Sequence, residues 1–279
     1  MAELYDVPAG GDEKQDLGVR EGAHGSNQMA NRRARAFAAI LALVALSASP
    51  AAALDGEVLI SQGKANAGGI TPNDDPGFPV TISRSGKYKL IGNLNVPAGK
   101  DGIRVTAHFV TIDLNGFRIS GTNQAKRGIN AINRDGLTVM NGTIAKFTSH
   151  GIETRSFAII HDMQITNNGG MGVKLDNNGR VLRSTLSENV STHIFCLSKC
   201  LIAQNVIARS TTESGIVLIA TAGGGGHLVL GNVISGNQLY GIYSEVFTGF
   251  GNNTLTGNNL GVVGVTPLHP NACLPACPN

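Results

Sequence analysis

Short apolar segments broken by glycine and asparagine recur along this chain with a period of about 21 residues, which is typical of a repeat architecture. Each unit begins with a glycine followed by a β-branched apolar residue, and His193-Ile194 occupies the one position where the glycine is missing. Two further columns follow at regular offsets, the first apolar and the second polar. The glycine column contains Gly102, Gly128, Gly151, Gly172, Gly215 and Gly241; the apolar column contains Ile119, Ile144, Ile165, Leu186, Ile207, Ile234 and Leu255; the polar column contains Thr122, Phe147, Asn168, Asn189, Ser210, Asn237 and Asn258.

These segments predict short strands rather than helices, because they are rich in Ile, Val, Leu and Thr and are interrupted every few residues. A unit of this length cannot bury its apolar face alone, but it can do so against a neighbouring copy. The 37 glycines and the absence of tryptophan also suit a fold rich in turns. The pattern therefore predicts an all-β solenoid of about seven to eight coils, in which like residues stack.

The glycine-isoleucine columns, the "NGTI" segment at 141–144 and the asparagine column resemble the repeats of right-handed parallel β-helix proteins of the pectate-lyase-like superfamily. The resemblance covers residues 102 to about 263 and implies a parallel β-helix. It leaves the function open, because lyases, hydrolases, epimerases, adhesins and phage spikes share such coils. We expect the glycines and asparagines to occupy turns with positive φ, with His193 as a tolerated substitute, and the stacked asparagine amides to hydrogen-bond between coils.

Five segments follow from this interpretation. Residues 29–53 have a basic start, an apolar centre and an Ala-x-Ala ending, which predicts a signal peptide and a secreted, periplasmic or cell-surface protein without a membrane span after cleavage. Residues 1–28 are then a disordered leader or an over-extended translation start. Residues 54–101 alternate apolar and polar positions near Pro and Gly and predict hairpin strands that cap the β-helix at 102–263. Residues 264–279 form a tail rich in Cys and Pro.

Two Cys-x₃-Cys groups, Cys196 with Cys200 and Cys273 with Cys277, predict local disulfides in an oxidising compartment, although four cysteines permit three pairings. The register also places Cys196 in an inward column, where it would serve as a small core residue. A zinc site is the competing interpretation, but the spacing is not Cys-x₂-Cys and His227 has no cysteine at ligand spacing. We expect no cofactor; calcium would suit a lyase, yet its repeat motif is absent.

The formal net charge of +3 and the scattered basic residues disfavour nucleic-acid binding and leave a polysaccharide or cell-surface glycan as the expected partner of a monomer.

Alternate strand residues face outward, and this rule collects four charged side chains from neighbouring coils: Glu153, Arg155, Lys174 and Asp176. As a catalytic set, Glu153 and Asp176 would lie about 8 Å apart and suit an inverting glycosidase. Lys174 would instead suit a lyase base, with Arg155 neutralising a uronate carboxylate. Phe195, Tyr243 and His150 border this patch as predicted substrate-binding residues.

The simpler interpretation is two exposed ion pairs, Glu153 with Lys174 and Arg155 with Asp176, each worth about 0–1 kcal/mol. The motifs of polygalacturonases, pectate lyases and alginate epimerases are missing, which weakens the case for an enzyme. Two hypotheses stay open: an exported β-helix that binds or modifies a polysaccharide, and a structural or adhesive surface β-helix without a catalytic centre.

Overall fold

The computed structural model describes residues 56–220 and 225–274, and these residues form a stack of parallel strands in two sheets. The predicted all-β parallel β-helix is confirmed, with nine coils rather than seven to eight. The predicted leader and signal peptide lie outside the described residues, as does Cys277.

One sheet takes one short strand from every coil, and we call its outer surface the nine-stranded face. Strands in it pair in parallel, with Ile152 opposite Val173 and Glu153 opposite Lys174. Alternation along these strands sends the first and third residues into the core and the second outward, as predicted. Its strands are Val80–Ile82, Ile103–Val105, Ile129–Ala131, Ile152–Thr154, Val173–Asn177, Ile194–Ser198, Ile216–Leu218, Ile242–Ser244 and Val262–Val263.

The second sheet takes the remaining strands, usually two from each coil. The predicted apolar column stacks in it, since Ile165 pairs with Leu186 and Leu186 with Ile207, all fully buried. Its strands are Val58–Ile60, Gly86–Leu90, Leu94–Asn95, Val110–Asp113, Arg118–Ala125, Thr138–Phe147, Ile159–Thr166, Arg180–Leu182, Thr185–Ser187, Leu201–Ala203, Val206–Ala208, His227–Leu230, Val233–Ser235, Thr248–Gly251, Thr254–Thr256, Thr266–Pro267 and Ala272–Leu274.

The extra coils come from the segments at the two ends of the stack. Strands before residue 102 pair in parallel with later coils, for example Val80–Ile82 with Ile103–Val105, so the predicted hairpin is wrong. The short helix Gln62–Ala67 buries Ala65, and the Gln62 side chain accepts a hydrogen bond from the Asn95 backbone N–H. The helix thus lies beside the first strands of the stack. At the other end, Thr266–Pro267 and Ala272–Leu274 add strands within the predicted tail.

The glycine column exists because adjacent coils approach closely, and the predicted positive φ is wrong there. A Cβ at Gly128 would lie 2.5 Å from the carbonyl oxygen of Gly151, and one at Gly151 would lie 2.7 Å from that of Gly172. Neither residue has positive φ. Glycine is required at these positions by contact between backbones.

The predicted asparagine ladder is confirmed, although its residues also lack the expected positive φ. Asn168 Nδ2 donates to Asn189 Oδ1 at 2.9 Å, and Asn237 Nδ2 donates to Asn258 Oδ1 at 2.8 Å. The left-handed conformation belongs to the residue directly before each ladder position, such as Asn167 with φ of 56°. Sequence reasoning missed a second ladder at another corner, in which the amides of Asn205, Asn232, Asn253 and Asn271 bond in series.

Cys196 and Cys200 form a disulfide, as predicted, with their Cα atoms 6.5 Å apart. Cys196 is also fully buried in its inward column, so both interpretations of this residue hold. His227 lies against the pair, contrary to the spacing argument: its Nδ1 accepts the Cys200 backbone N–H at 3.3 Å. Burial lowers the pKa of His227 and keeps its imidazole neutral. The pairing of Cys273 with Cys277 stays a prediction.

Candidate functional site

The nine-stranded face brings the four predicted charged residues together around one pocket of about 180 Å³. Backbone pairing places Lys174 directly opposite Glu153 in the next coil. Arg155 and Asp176 follow two residues after them, at the end of each strand. The pocket is lined by Ile132, Asn133, Glu153, Thr154, Arg155, Lys174 and Asp176.

Glu153 is not a solvated surface residue, which corrects the expectation of two exposed ion pairs. It is 5% exposed, and each of its carboxylate oxygens has a cationic partner. Lys174 Nζ lies 2.8 Å from Oε1, and Arg127 Nε lies 2.6 Å from Oε2. Both oxygens are therefore occupied, and Glu153 holds two basic side chains in place.

Arg127 was missed by sequence reasoning, although a signal for it was present. It directly precedes Gly128, as Asp101 precedes Gly102 and His150 precedes Gly151, so the three belong to one stacked column. Asp101 Oδ1 accepts the Arg127 backbone N–H at 3.2 Å, and Asp101 Oδ2 accepts from the Asn130 amide at 2.8 Å. The residues directly before these glycines therefore supply a carboxylate (Asp101), a guanidinium group (Arg127) and an imidazole (His150) next to the strands of the nine-stranded face.

The pKa of Glu153 depends on two opposing effects, its burial and the positive charges around it. Burial raises its pKa, but the hydrogen bond from Lys174 and the charges of His150, Lys174 and Arg127 together hold the pKa below its usual range. Burial lowers the pKa of His150, and the Lys174 and Arg127 charges lower it further against the opposing Glu153 carboxylate. His150 Nδ1 accepts the Met171 backbone N–H at 3.0 Å, which leaves the proton of the neutral ring on Nε2.

Asp176 differs from Glu153 in both partner and pKa. Burial raises its pKa, as do the negative charges of Glu153 and Asp135, against the opposing charges of Lys174 and Arg155. In the described part of the chain, Asp176 has no ion pair within 4.0 Å, so its predicted pair with Arg155 is not formed. It is the one pocket carboxylate with oxygens that Arg and Lys side chains do not occupy.

Arg155 instead lies 3.8 Å from Asp135, in the turn of the preceding coil. That turn is longer than the one after Arg155, so a fixed repeat offset does not align the two residues. Asp135 also lies 3.7 Å from His108 Nδ1 and accepts the Ser156 backbone N–H at 3.2 Å. The Arg155 side chain is 52% exposed and faces solvent at the edge of the pocket.

The predicted aromatic residues lie further along the same outward row. Phe195 is the backbone register partner of Lys174 and lies one coil after it. Val217 occupies the same row in the coil between Phe195 and Tyr243. Both rings are half-buried and neither lines the pocket. Tyr243 Oη lies 3.3 Å from Glu245, and its ring centroid lies 5.4 Å from that of Tyr240.

A larger concavity of about 610 Å³ lies at the corner of the asparagine ladder. Its lining includes Phe147, Asn168 and Val190, and its charged member, Glu188, is paired with Arg209 at 2.8 Å. It brings no cluster of unpaired titratable groups together, so the pocket on the nine-stranded face is the stronger candidate site.

The stacked parallel strands and the residue columns define a right-handed parallel β-helix protein with a charged pocket on one face. Two solved structures of variants of the periplasmic alginate epimerase AlgG are similar to it. The first shows 16% identity and a TM-score of 0.55 over 72% of this chain, and the second 15% and 0.52 over 72%. The Azotobacter vinelandii mannuronan C-5 epimerase AlgE4 A-module gives 11% identity and a TM-score of 0.38 over 78% of this chain and 84% of that one.

This chain spans 56% of the first AlgG structure and 55% of the second. No protein-family model and no curated protein sequence matches it. Among the described residues, no helix is long and apolar enough to span a membrane.

Proposed function

We propose that this chain is an exported β-helix protein that binds an anionic polysaccharide at the pocket on the nine-stranded face. The observation that supports this most is the division of charge around the pocket. The carboxylates of Glu153 and Asp101 are buried against cations, whereas Arg155 and Arg104 are exposed on the outer surface. A uronate carboxylate would find a guanidinium donor at Arg155, whose contact with Asp135 at 3.8 Å is longer than a hydrogen bond.

The comparisons support a polysaccharide rather than another class of ligand. The two structures with TM-scores above 0.5 are of a periplasmic alginate epimerase, whose substrate is an anionic polysaccharide. Export to the periplasm or cell surface is part of the proposal and agrees with the predicted signal peptide at 29–53.

Chemical modification of the bound chain is a second candidate function, which the raised pKa of Asp176 favours. A carboxylate of raised pKa that no cation holds accepts a proton more readily than one paired with two cations. Glu153 is less suited to act as a base because both of its oxygens are engaged, and Lys174 is less suited because its ammonium group bonds to Glu153. Asp176 is therefore the proposed proton-transfer residue, with Glu153 and Lys174 as positioning residues.

Affinity electrophoresis of the folded protein tests the binding proposal. Gels containing alginate or polygalacturonate should retard the wild type, and gels containing uncharged dextran should not. Arg155→Gln should weaken retardation by about tenfold, the range of one charge-assisted hydrogen bond. Arg180→Gln is the matched control, because Arg180 is exposed on the other sheet. Equal mobility of the wild type with and without every anionic polysaccharide would contradict the proposal and leave the structural or adhesive alternative.

A turnover assay on the same polysaccharides separates binding from modification. Reducing ends report hydrolysis, unsaturated-uronate absorbance reports elimination, and proton NMR of the product reports epimerisation. Asp176→Asn should abolish any turnover while keeping retardation in the gel. Repeating the assay with EDTA tests the predicted independence from calcium.

A further inference from the structure

Three exposed phenylalanines line one corner of the β-helix, beside the nine-stranded face. In the described part of the chain, Phe109, Phe157 and Phe247 are the exposed phenylalanines, at 72%, 58% and 63%. All three occupy the same position in the turn after the short strand, which we call the turn column. The turn column contains Phe109, Gly136, Phe157, Asn178, Lys199, Gly226 and Phe247, as the backbone pairing of successive coils shows.

Phe109 and Phe157 adopt a backbone conformation that is unfavourable for a bulky residue. Their φ values are 54° and 59°, in the left-handed region that Gly136 and Asn178 occupy in neighbouring coils. A large side chain there is uncommon, and it is retained only where something offsets its cost. Neither ring offsets that cost by burial, because both are more than half exposed.

The ring of Phe109 has a defined place on the surface. It lies over Gly136 of the next coil, where an added Cβ would come within 2.5 Å of the ring carbon Cδ1. Any side chain at position 136 would displace the ring. One side of the ring thus packs over the backbone of Gly136, and the rest of the side chain is exposed.

The turn column is continuous with the candidate pocket. Phe157 follows Arg155 by two residues, and Asp135, which lies 3.8 Å from Arg155, directly precedes Gly136. Phe109 and Phe157 are two coils apart, about 9.6 Å along the stack. The guanidinium group of Arg155 therefore contacts Asp135 in the coil that lies between those of Phe109 and Phe157.

We infer that Phe109 and Phe157 are stacking platforms for sugar rings of the polysaccharide, which lies parallel to the stack of coils. This inference rests on the proposed function and extends it by assigning a binding subsite. A pyranose ring has an apolar C–H face that packs on an aromatic ring, and its hydroxyl groups stay in water. Glycine and polar positions separate the rings, which therefore do not form the contiguous apolar patch typical of a protein interface. Single rings at intervals of two and four coils suit a linear polymer whose apolar faces also repeat.

Asparagine substitution provides a test in which binding and stability change differently. Asn adopts positive φ readily, so Phe157→Asn should not lower the thermal midpoint. It should weaken retardation in alginate gels by about twofold to tenfold, and Phe109→Asn with Phe157→Asn by about tenfold or more. Phe157→Tyr should keep the affinity because it keeps the ring. Val206→Thr, at an exposed apolar position on the other sheet, is the control and should bind as the wild type does.

The outcomes separate this inference from the proposed function. If alginate retards the wild type and the double variant equally, the stacking platforms are wrong while the pocket proposal stands. If no anionic polysaccharide retards the wild type, both fail. Sedimentation of the wild type as a dimer and of the double variant as a monomer would make the rings a self-association surface and overturn the inference.

Discussion

Lys174 Nζ lies 2.8 Å from Glu153 Oε1 across two adjacent coils, and the Glu153 side chain beneath it is almost completely buried. A buried carboxylate is stable only while its charge is compensated, and here Lys174 and Arg127 provide that compensation. Glu153 therefore serves first to position two cations on the nine-stranded face.

Glu153→Gln should lower the free energy of unfolding by about 2 kcal/mol, because it leaves two basic groups without their shared anion. Urea denaturation at pH 7 measures this change. Lys174→Gln is the comparison, with an expected loss of less than about 1 kcal/mol because Lys174 is one-third exposed and Arg127 still neutralises the carboxylate. A smaller loss for Glu153→Gln than for Lys174→Gln would contradict this assignment.

Asn189→Ala should destabilise the stack by about 3 kcal/mol, since it leaves several buried polar groups unpaired. Asn189 Oδ1 accepts from the Asn168 amide, and its Nδ2 donates to the Ile165 carbonyl at 3.0 Å. The control is Asn167→Gly in the same corner, where the exposed residue has φ of 56° and glycine is favourable. Chemical denaturation of both variants should show a change of under about 0.5 kcal/mol for the control. Similar losses in the two variants would mean that the amide ladder adds little.

His193 should make the protein sensitive to mild acid. Burial lowers its folded-state pKa to about 4, whereas the ordinary pKa is 6.5, so the unfolded chain binds a proton that the folded chain excludes. The folded state therefore loses about 3 kcal/mol of its free energy of unfolding as His193 becomes protonated. The loss is absent above pH 6.5 and grows as the pH falls towards 4. His193→Gly restores the residue of the glycine column. Urea denaturation from pH 7 to pH 4.5 measures the free energy of unfolding of both proteins. It should fall more steeply with decreasing pH in the wild type than in the variant. A difference between the two that does not change with pH would contradict the assignment.

Replacing Cys196 and Cys200 together by alanine should lower the free energy of unfolding by about 2 kcal/mol, the range for a disulfide that closes a very short loop. Denaturation of the double variant and the wild type without reductant measures the loss. Mass spectrometry of a non-reduced digest should also recover the Cys196–Cys200 link. Recovery of either cysteine bound to Cys273 or Cys277 would contradict the local pairing.

The fold was largely predictable from the sequence, because repetition turns one weak strand signal into several aligned ones. Ile165, Leu186 and Ile207 stack as the period predicts. The ends of the stack were not predictable in the same way. Val80–Ile82 belongs to a coil without the column glycine, so its alternating pattern looked like a hairpin.

The candidate site was predictable only in part. Strand alternation correctly placed Glu153 and Lys174 on one outward row, because backbone register alone fixes that relationship. Strand alternation predicted neither the burial of Glu153 nor its second partner Arg127. Arg127 lies before the strand of its coil, and its contact with Glu153 depends on side-chain conformation rather than on backbone register. The Asp135–Arg155 contact was missed because the turn lengths of successive coils differ.

Hydrogen–deuterium exchange of the full chain with and without alginate shows whether a polysaccharide binds across the pocket on the nine-stranded face. We expect slower amide exchange at 130–136, 153–157 and 174–178, with no change at Thr185–Ser187 or Val206–Ala208 on the other sheet. Protection confined to the other sheet would contradict binding at this pocket.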